Sequence, residues 1–148
     1  MILLRGIDMQ KDTSEMLSEL KACSDFKDFL SENEESIITT ELYENLERLL
    51  KKYNIKKSEA VKASELNEIY AYQIFAGSRR PDRSKLLCIV IGMGLPLEEV
   101  NGLLKSSGYA PLYVKNPFDC IVAFGIYKKY NLIKINGMLY DYGFNTLG

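Results

Sequence analysis

Arg79 and Arg80 stand together behind Gly77 and ahead of Pro81, with Lys57 a short way upstream. A pair of guanidiniums is a fork-shaped donor set for phosphate or carboxylate oxygens, and a lysine is a point charge for the same groups. The chain around them is basic. Residues 51–85 hold nine Lys+Arg against four Asp+Glu, whereas residues 1–50 hold five against twelve and residues 86–148 five against four. The overall charge of −1 hides this asymmetry. A basic stretch of this kind is what a phosphate-facing surface requires, and it equally serves as the solvated face that any domain needs.

Other chemistries find little support. The chain has no histidine, which removes histidine-based acid–base and triad catalysis. Its three cysteines, Cys23, Cys88 and Cys120, are far apart and form no C-x-x-C, so no metal site is expected. Cys88 and Cys120 lie in apolar runs, where a free thiol behaves as a small hydrophobe, and the usage fits a reducing cytoplasm. The run from Gly92 to Pro96 reads as a helix end rather than a G-x-G-x-x-G loop. No catalytic residue and no cofactor is expected. Ile2-Leu3-Leu4, closed by Arg5, is too short for a signal-peptide core, and the apolar run from Leu86 to Met93 is too short to cross a membrane. Hydrophobic content of 47% and charged content of 26% then place the chain among ordinary globular proteins, as one domain or one domain with an appendage.

The basic residues must be held by the stretch from Ser58 to Arg80. Its pattern predicts two short helices joined by a tight turn. The first runs from Lys56 to Ser64. The second starts behind Asn67, a good N-cap, and stops at Gly77, where a left-handed residue costs least. Ala71 and Ile74 would face inward, as would Tyr70 and Phe75, leaving Tyr72 more exposed. So short a pair buries only one side and needs helices around it.

This segment and its neighbours, Leu42 to Leu104, resemble the five-helix, phage-repressor-like helix-turn-helix domain of the XRE family of bacterial regulators. The resemblance rests on a Leu-rich first helix (Leu42, Leu46, Leu49, Leu50), the helix pair, the G-x-R-R-P run from Gly77 to Pro81, and the apolar segments that follow. It implies a transcriptional regulator that binds double-stranded DNA. Glu68, Ile69, Tyr72 and Gln73 would be the base-reading positions, with Ser58 and Asn67 at the helix starts nearby. Gln at such a position pairs with adenine and Glu accepts from cytosine. Lys57, Arg79 and Arg80 would contact phosphates and fix register. The chain departs from the family pattern at Glu65, where the turn usually has Gly, at Val61, at Lys56 in place of a Ser cap, and at Glu68, which brings negative charge to the groove. A repressor-like domain also serves as a protein-docking module, and that alternative stays open, as does a homodimer.

Residues 1–11 carry no clear period. Asp12 with Glu15 resembles a capping box for a helix carrying Met16, Leu17 and Leu20, and Ser24 or Asp25 opens a second with Phe26, Phe29 and Leu30. Met16, Leu20, Phe26 and Phe29 are expected to pack on the rest of the protein or on a second copy. After a break at residues 31–37, Thr39 or Thr40 caps the helix whose face is Leu42, Leu46, Leu49, Leu50 and Tyr53. Asp82 caps an almost wholly apolar, central helix that Gly94 stops, and Pro96 starts the next at its first helical position. Asn116-Pro117-Phe118-Asp119 is a further helix start.

Residues 100–112 match residues 135–147 at an offset of 35, with Asn101/Asn136, Gly102/Gly137, Leu104/Leu139, Gly108/Gly143 and Leu112/Leu147 identical. Residues 82–112 and 117–147 therefore read as two copies of one helical hairpin, each ending on a left-handed Gly followed by an aromatic. The expected fold is all-α: an acidic helical segment over 1–38, the helix-turn-helix domain over 39–112, and a hairpin over 113–148 that repeats helices four and five.

Overall fold

Short polar side chains open most of the helices. Asp12, Asp25, Asn67, Asp82, Asn116 and Asn131 each occupy an N-cap and accept a backbone N–H of the first turn. The structure is a computed structural model that describes residues 12–33 and 41–148, and every regular element among them is an α-helix. Two compact units result, residues 1–39 and 40–148. The lead-in over 1–11 and the caps Thr39 and Thr40 lie outside the described residues.

The first unit contains α1 (Thr13–Ala22) and α2 (Phe26–Glu32). The Asp12 carboxylate accepts from the Glu15 N–H at 2.8 Å. The apolar residues of this segment are only partly covered. Phe29 is buried and stacks on Phe26 at 6.3 Å, and Met16 is half-buried, but Leu17, Leu20, Phe26 and Leu30 remain exposed. Helices of ten and seven residues cannot cover each other's apolar stripes.

The second unit runs α3 (Leu42–Lys52), α4 (Lys57–Ala63), α5 (Glu68–Ala76), α6 (Arg83–Met93), α7 (Leu97–Ser106), α8 (Pro117–Tyr127) and α9 (Leu132–Asp141). Glu41 stands at the N-cap of α3, and its N–H donates to the Glu44 carboxylate at 3.1 Å. Pro96 is the N-cap of α7 rather than its first helical residue. The α3 leucines at 42, 46, 49 and 50 are buried as their spacing requires. Tyr53, expected on the same face, is exposed instead. Its hydroxyl donates to Glu99 at 2.7 Å, and Lys52 reaches the same carboxylate at 2.7 Å. A phenol at the helix end gains a partner by turning outward. Helix α6 is central: Leu86 to Ile91 are all buried, and each Leu, Ile or Val among them contributes about 1.5–3 kcal/mol over its exposed state. Helix α4 lies against it at Gly92, where an added Cβ would meet the Ala60 oxygen and the Ser64 nitrogen at 2.8 Å.

The repeat is physical as well as textual. Helices α7 and α9 are both ten residues long, and Gly108 and Gly143 that follow them have φ of +85° and +83°. The Tyr109 N–H returns to the Leu104 carbonyl at 2.8 Å, and the Phe144 N–H to the Leu139 carbonyl at 2.9 Å. The Asn101 side chain accepts from the Leu112 N–H at 2.8 Å, and the Asn136 side chain from the Leu147 N–H at 2.7 Å. Each asparagine thus pins the tail of its own hairpin. Asn101→Ala and Asn136→Ala should each destabilise by about 1–2 kcal/mol, because each leaves a half-buried N–H without its acceptor. Asn136 also donates to the Leu147 carbonyl at 3.1 Å, so its loss should be the larger. Urea titration of the two variants measures this, and an effect from one only would mean that the two bonds are not equivalent.

Candidate functional site

Helices α4 and α5 meet at a turn built without glycine. Ser64 is buried, and its hydroxyl donates to the Val61 carbonyl at 2.6 Å and accepts from the Leu66 N–H at 3.3 Å. Glu65 then takes φ +58°, the left-handed conformation expected to be strained for a residue with a Cβ, at a cost of about 1 kcal/mol. Its side chain is exposed, so the turn closes with the carboxylate in solvent.

Helix α5 is seated from below and capped at both ends. Ala71, Ile74 and Phe75 are buried and Tyr70 is half-buried against the core. The Asn67 side chain accepts from the Tyr70 N–H at 3.0 Å, which commits its carbonyl oxygen to the cap and leaves the amide N–H groups for any ligand. Gly77 ends the helix at φ +85°, with the Tyr43 ring of α3 where a Cβ would otherwise project.

The outward face of α5 carries Glu68, Ile69, Tyr72 and Ala76, with Ile69 70% and Tyr72 37% exposed. Gln73, expected among the base-reading positions, is half-buried on the flank of this face. Ser58 is exposed on α4 and lines, with Val61, Lys62, Glu65, Leu66, Glu68 and Tyr72, an open groove of about 490 Å³.

The cations of this region divide by their partners within the chain. Of the nine on residues 51–85, five have partners within the chain. Lys57 pairs with Glu47 at 2.5 Å, which draws it toward α3. The Arg80 guanidinium donates to the Ser107 carbonyl and lies 5.8 Å from the Tyr109 ring. Lys52, Arg83 and Lys85 pair with Glu99, Asp119 and Asp82. Lys51, Lys56, Lys62 and Arg79 are exposed and have no side-chain partner among the described residues. Three carboxylates, Glu59, Glu65 and Glu68, are exposed on the same helix pair.

Arg80 belongs to a clamp that ties the loop after α5 to the chain beyond α7. The Tyr109 hydroxyl donates to the Pro81 carbonyl at 2.5 Å, and Arg83 Nε donates to the Ala110 carbonyl at 3.0 Å. Residue type and spacing do not single out Lys62, Arg83 or Tyr109, and they mark Asp119 only as part of a helix start. Lys62 is one helical turn from Ser58, on the same groove, and that spacing was the available signal. The partners of Arg83 lie 27–36 residues away, beyond any local pattern.

Cys88 and Cys120 belong to α6 and α8 rather than to the α4–α5 pair. Burial pushes the Cys88 thiol up to about 11, so it stays protonated at neutral pH and serves as packing. Cys120, expected to be equally buried, is exposed, because its position on α8 falls opposite Val122, Ala123 and Ile126. No group of His, Cys, Asp or Glu able to hold a metal ion occurs among the described residues, and no described helix is long and apolar enough to cross a membrane. No family model, no curated protein and no solved structure matches the chain.

Proposed function

We propose that residues 39–112 form a repressor-like helix-turn-helix domain of the XRE type, and that the protein is a sequence-specific regulator of transcription acting on double-stranded DNA. The observation that carries the reading is α5. It is capped by Asn67 and Gly77, packed through Ala71, Ile74 and Phe75, and turns Glu68, Ile69 and Tyr72 outward, with Lys62 on the groove that Glu68 and Tyr72 line. A helix with such a face fits the major groove, where Glu68 accepts from cytosine and Ile69 contacts a thymine methyl. Phosphate contact falls to Lys56, Lys62 and Arg79. Lys57 and Arg80 position the helix pair through Glu47 and the Ser107 carbonyl.

Fluorescence anisotropy with random duplex DNA tests the reading. The protein should bind at about 50 mM salt and weaken steeply by about 200 mM. Lys62→Ala and Arg79→Ala should each reduce the salt slope by about 0.9. Arg80→Ala should instead lower the melting temperature and leave the slope unchanged. A second reading, a protein-docking module, is favoured by Glu59, Glu65 and Glu68, which repel phosphate on this face. No binding to duplex at either salt would transfer support to it.

A further inference from the structure

The two hairpins share a backbone plan but not a surface. Helix α9 buries Leu132, Ile135 and Leu139, and Ile135 closes on Gly125 of α8. Its opposite side carries Ile133, Lys134, Gly137, Tyr140 and Asp141, all exposed, with Ile133 at 64% and Tyr140 at 75%. At the offset of 35, α7 has Glu98, Glu99, Gly102, Lys105 and Ser106 in these places. That stripe is polar, and its Glu99 is engaged by Lys52 and Tyr53. On α9 an isoleucine and a tyrosine stand where α7 has charges. Neither Lys134 nor Asp141 has an ion-pair partner among the described residues.

These residues are arranged symmetrically about Gly137. At about 100° per residue, Ile133 and Tyr140 lie about 40° and 60° to one side of Gly137, one toward each end of the helix. Lys134 and Asp141 lie about 60° and 40° to the other side, again one toward each end. A two-fold axis perpendicular to α9 at Gly137 exchanges the ends and keeps the sides. It sets Ile133 against Tyr140 of the second copy and Lys134 against Asp141 of the second copy, each pair occurring twice. A parallel pair would instead set Lys134 against isoleucine and Asp141 against tyrosine, desolvating each charge on an apolar neighbour. Nothing lies within 4 Å of a Cβ placed on Gly137, so the crossing point is open backbone. In the single chain the Lys134 ammonium rests 3.8 Å from the Tyr130 ring, and its flexible stem lets it turn to a carboxylate.

We propose that this face of α9 joins two copies of the chain as an antiparallel helix pair crossing at Gly137. Complementarity between Lys134 and Asp141 fixes the antiparallel sense, and Ile133 with Tyr140 supplies the apolar contact. One ten-residue helix from each copy makes a small interface, so the dimer is weak, with a Kd of about 10–100 µM.

Sedimentation equilibrium of the full-length protein from about 5 µM to about 1 mM tests this, a range that brackets such a Kd. Wild type should pass from one chain mass to two. Gly137→Gln should keep or raise the melting temperature, because glutamine favours a helix and meets open space, yet weaken dimerisation about tenfold or more by holding the helices apart. Lys134→Glu and Asp141→Lys each set like charges against each other and should each weaken self-association about tenfold. Both suit the helix dipole at their own end of α9, so the far-UV spectrum should stay that of wild type. Mixed in equal amounts, these two variants should pair about as tightly as wild type, since each introduced charge then meets its opposite. A wild type that stays monomeric throughout, a Gly137→Gln variant that associates like wild type, or a mixture that pairs no better than its components would each overturn the proposal.

Discussion

Alanine at Gly92 should destabilise the 40–148 unit by about 1–3 kcal/mol, and leucine there by more. The cause is the approach of α4 to α6. A Cβ at residue 92 would meet the Ala60 oxygen and Ser64 nitrogen at 2.8 Å and the Ala63 carbonyl carbon at 3.1 Å. These are backbone atoms, so no rotamer change relieves the overlap and one helix must move. The expected drop in melting temperature is roughly 4 °C for each kcal/mol in a domain of this size. Gly102 supplies the control. It is exposed in α7, and a Cβ there would find nothing within 4 Å, so Gly102→Ala should stabilise by about 0.5–1 kcal/mol through helix propensity alone. Thermal melts of the two variants should therefore move in opposite directions. If the α4–α5 surface binds DNA as proposed, the Gly92 variant should also weaken that binding more than its stability loss explains, because α4 carries Ser58 and Lys62.

Asp119→Ala should cost about 2–4 kcal/mol. Arg83 holds the Asp119 carboxylate with two bonds, Nη1 to Oδ1 at 3.1 Å and Nη2 to Oδ2 at 2.9 Å, and the Tyr113 N–H donates to Oδ2 at 3.0 Å. The Asp119 side chain is 10% and the Arg83 side chain 26% exposed, so removing the acid leaves a largely desolvated cation without its partner. The range stands below that of a fully buried pair because water still reaches Arg83. Arg83→Lys should cost about 1–2 kcal/mol, since an ammonium cannot reproduce the two-point fork. A double-mutant cycle by urea unfolding should give a coupling of about 1–3 kcal/mol, and an Asp119→Ala change within about 0.5 kcal/mol of wild type would show that the pair does not hold the two hairpins together.

Much of the helical architecture was legible because its causes are local. Capping by Asp12, Asn67, Asp82 and Asn116 depends on one side chain and the turn beside it. The left-handed ends at Gly77, Gly94, Gly108 and Gly143 depend on the absence of a Cβ. The buried leucines of α3 and the inward residues of α5 follow from helical period, and the hairpin repeat from matching letters. The strained turn at Glu65 was visible for the same local reason.

Charge partners were not legible. Lys57, Arg80 and Arg79 have equivalent chemistry in the sequence, yet Lys57 finds Glu47, Arg80 finds the Ser107 carbonyl, and only Arg79 remains without a side-chain partner among the described residues. Tyr53 and Cys120 kept the periodicity or setting of buried residues and are exposed. The sequence alone determined which residues are helical, where most helices begin and end, and that two hairpins share one design. Only the tertiary structure decided which cations face outward, which apolar residues stay uncovered, and that Gly92 lets α4 touch α6. The physical reason is range. Caps, turns and periodic faces are set by atoms within a turn or two, whereas a salt bridge or a close helix contact depends on groups that packing brings together from tens of residues away.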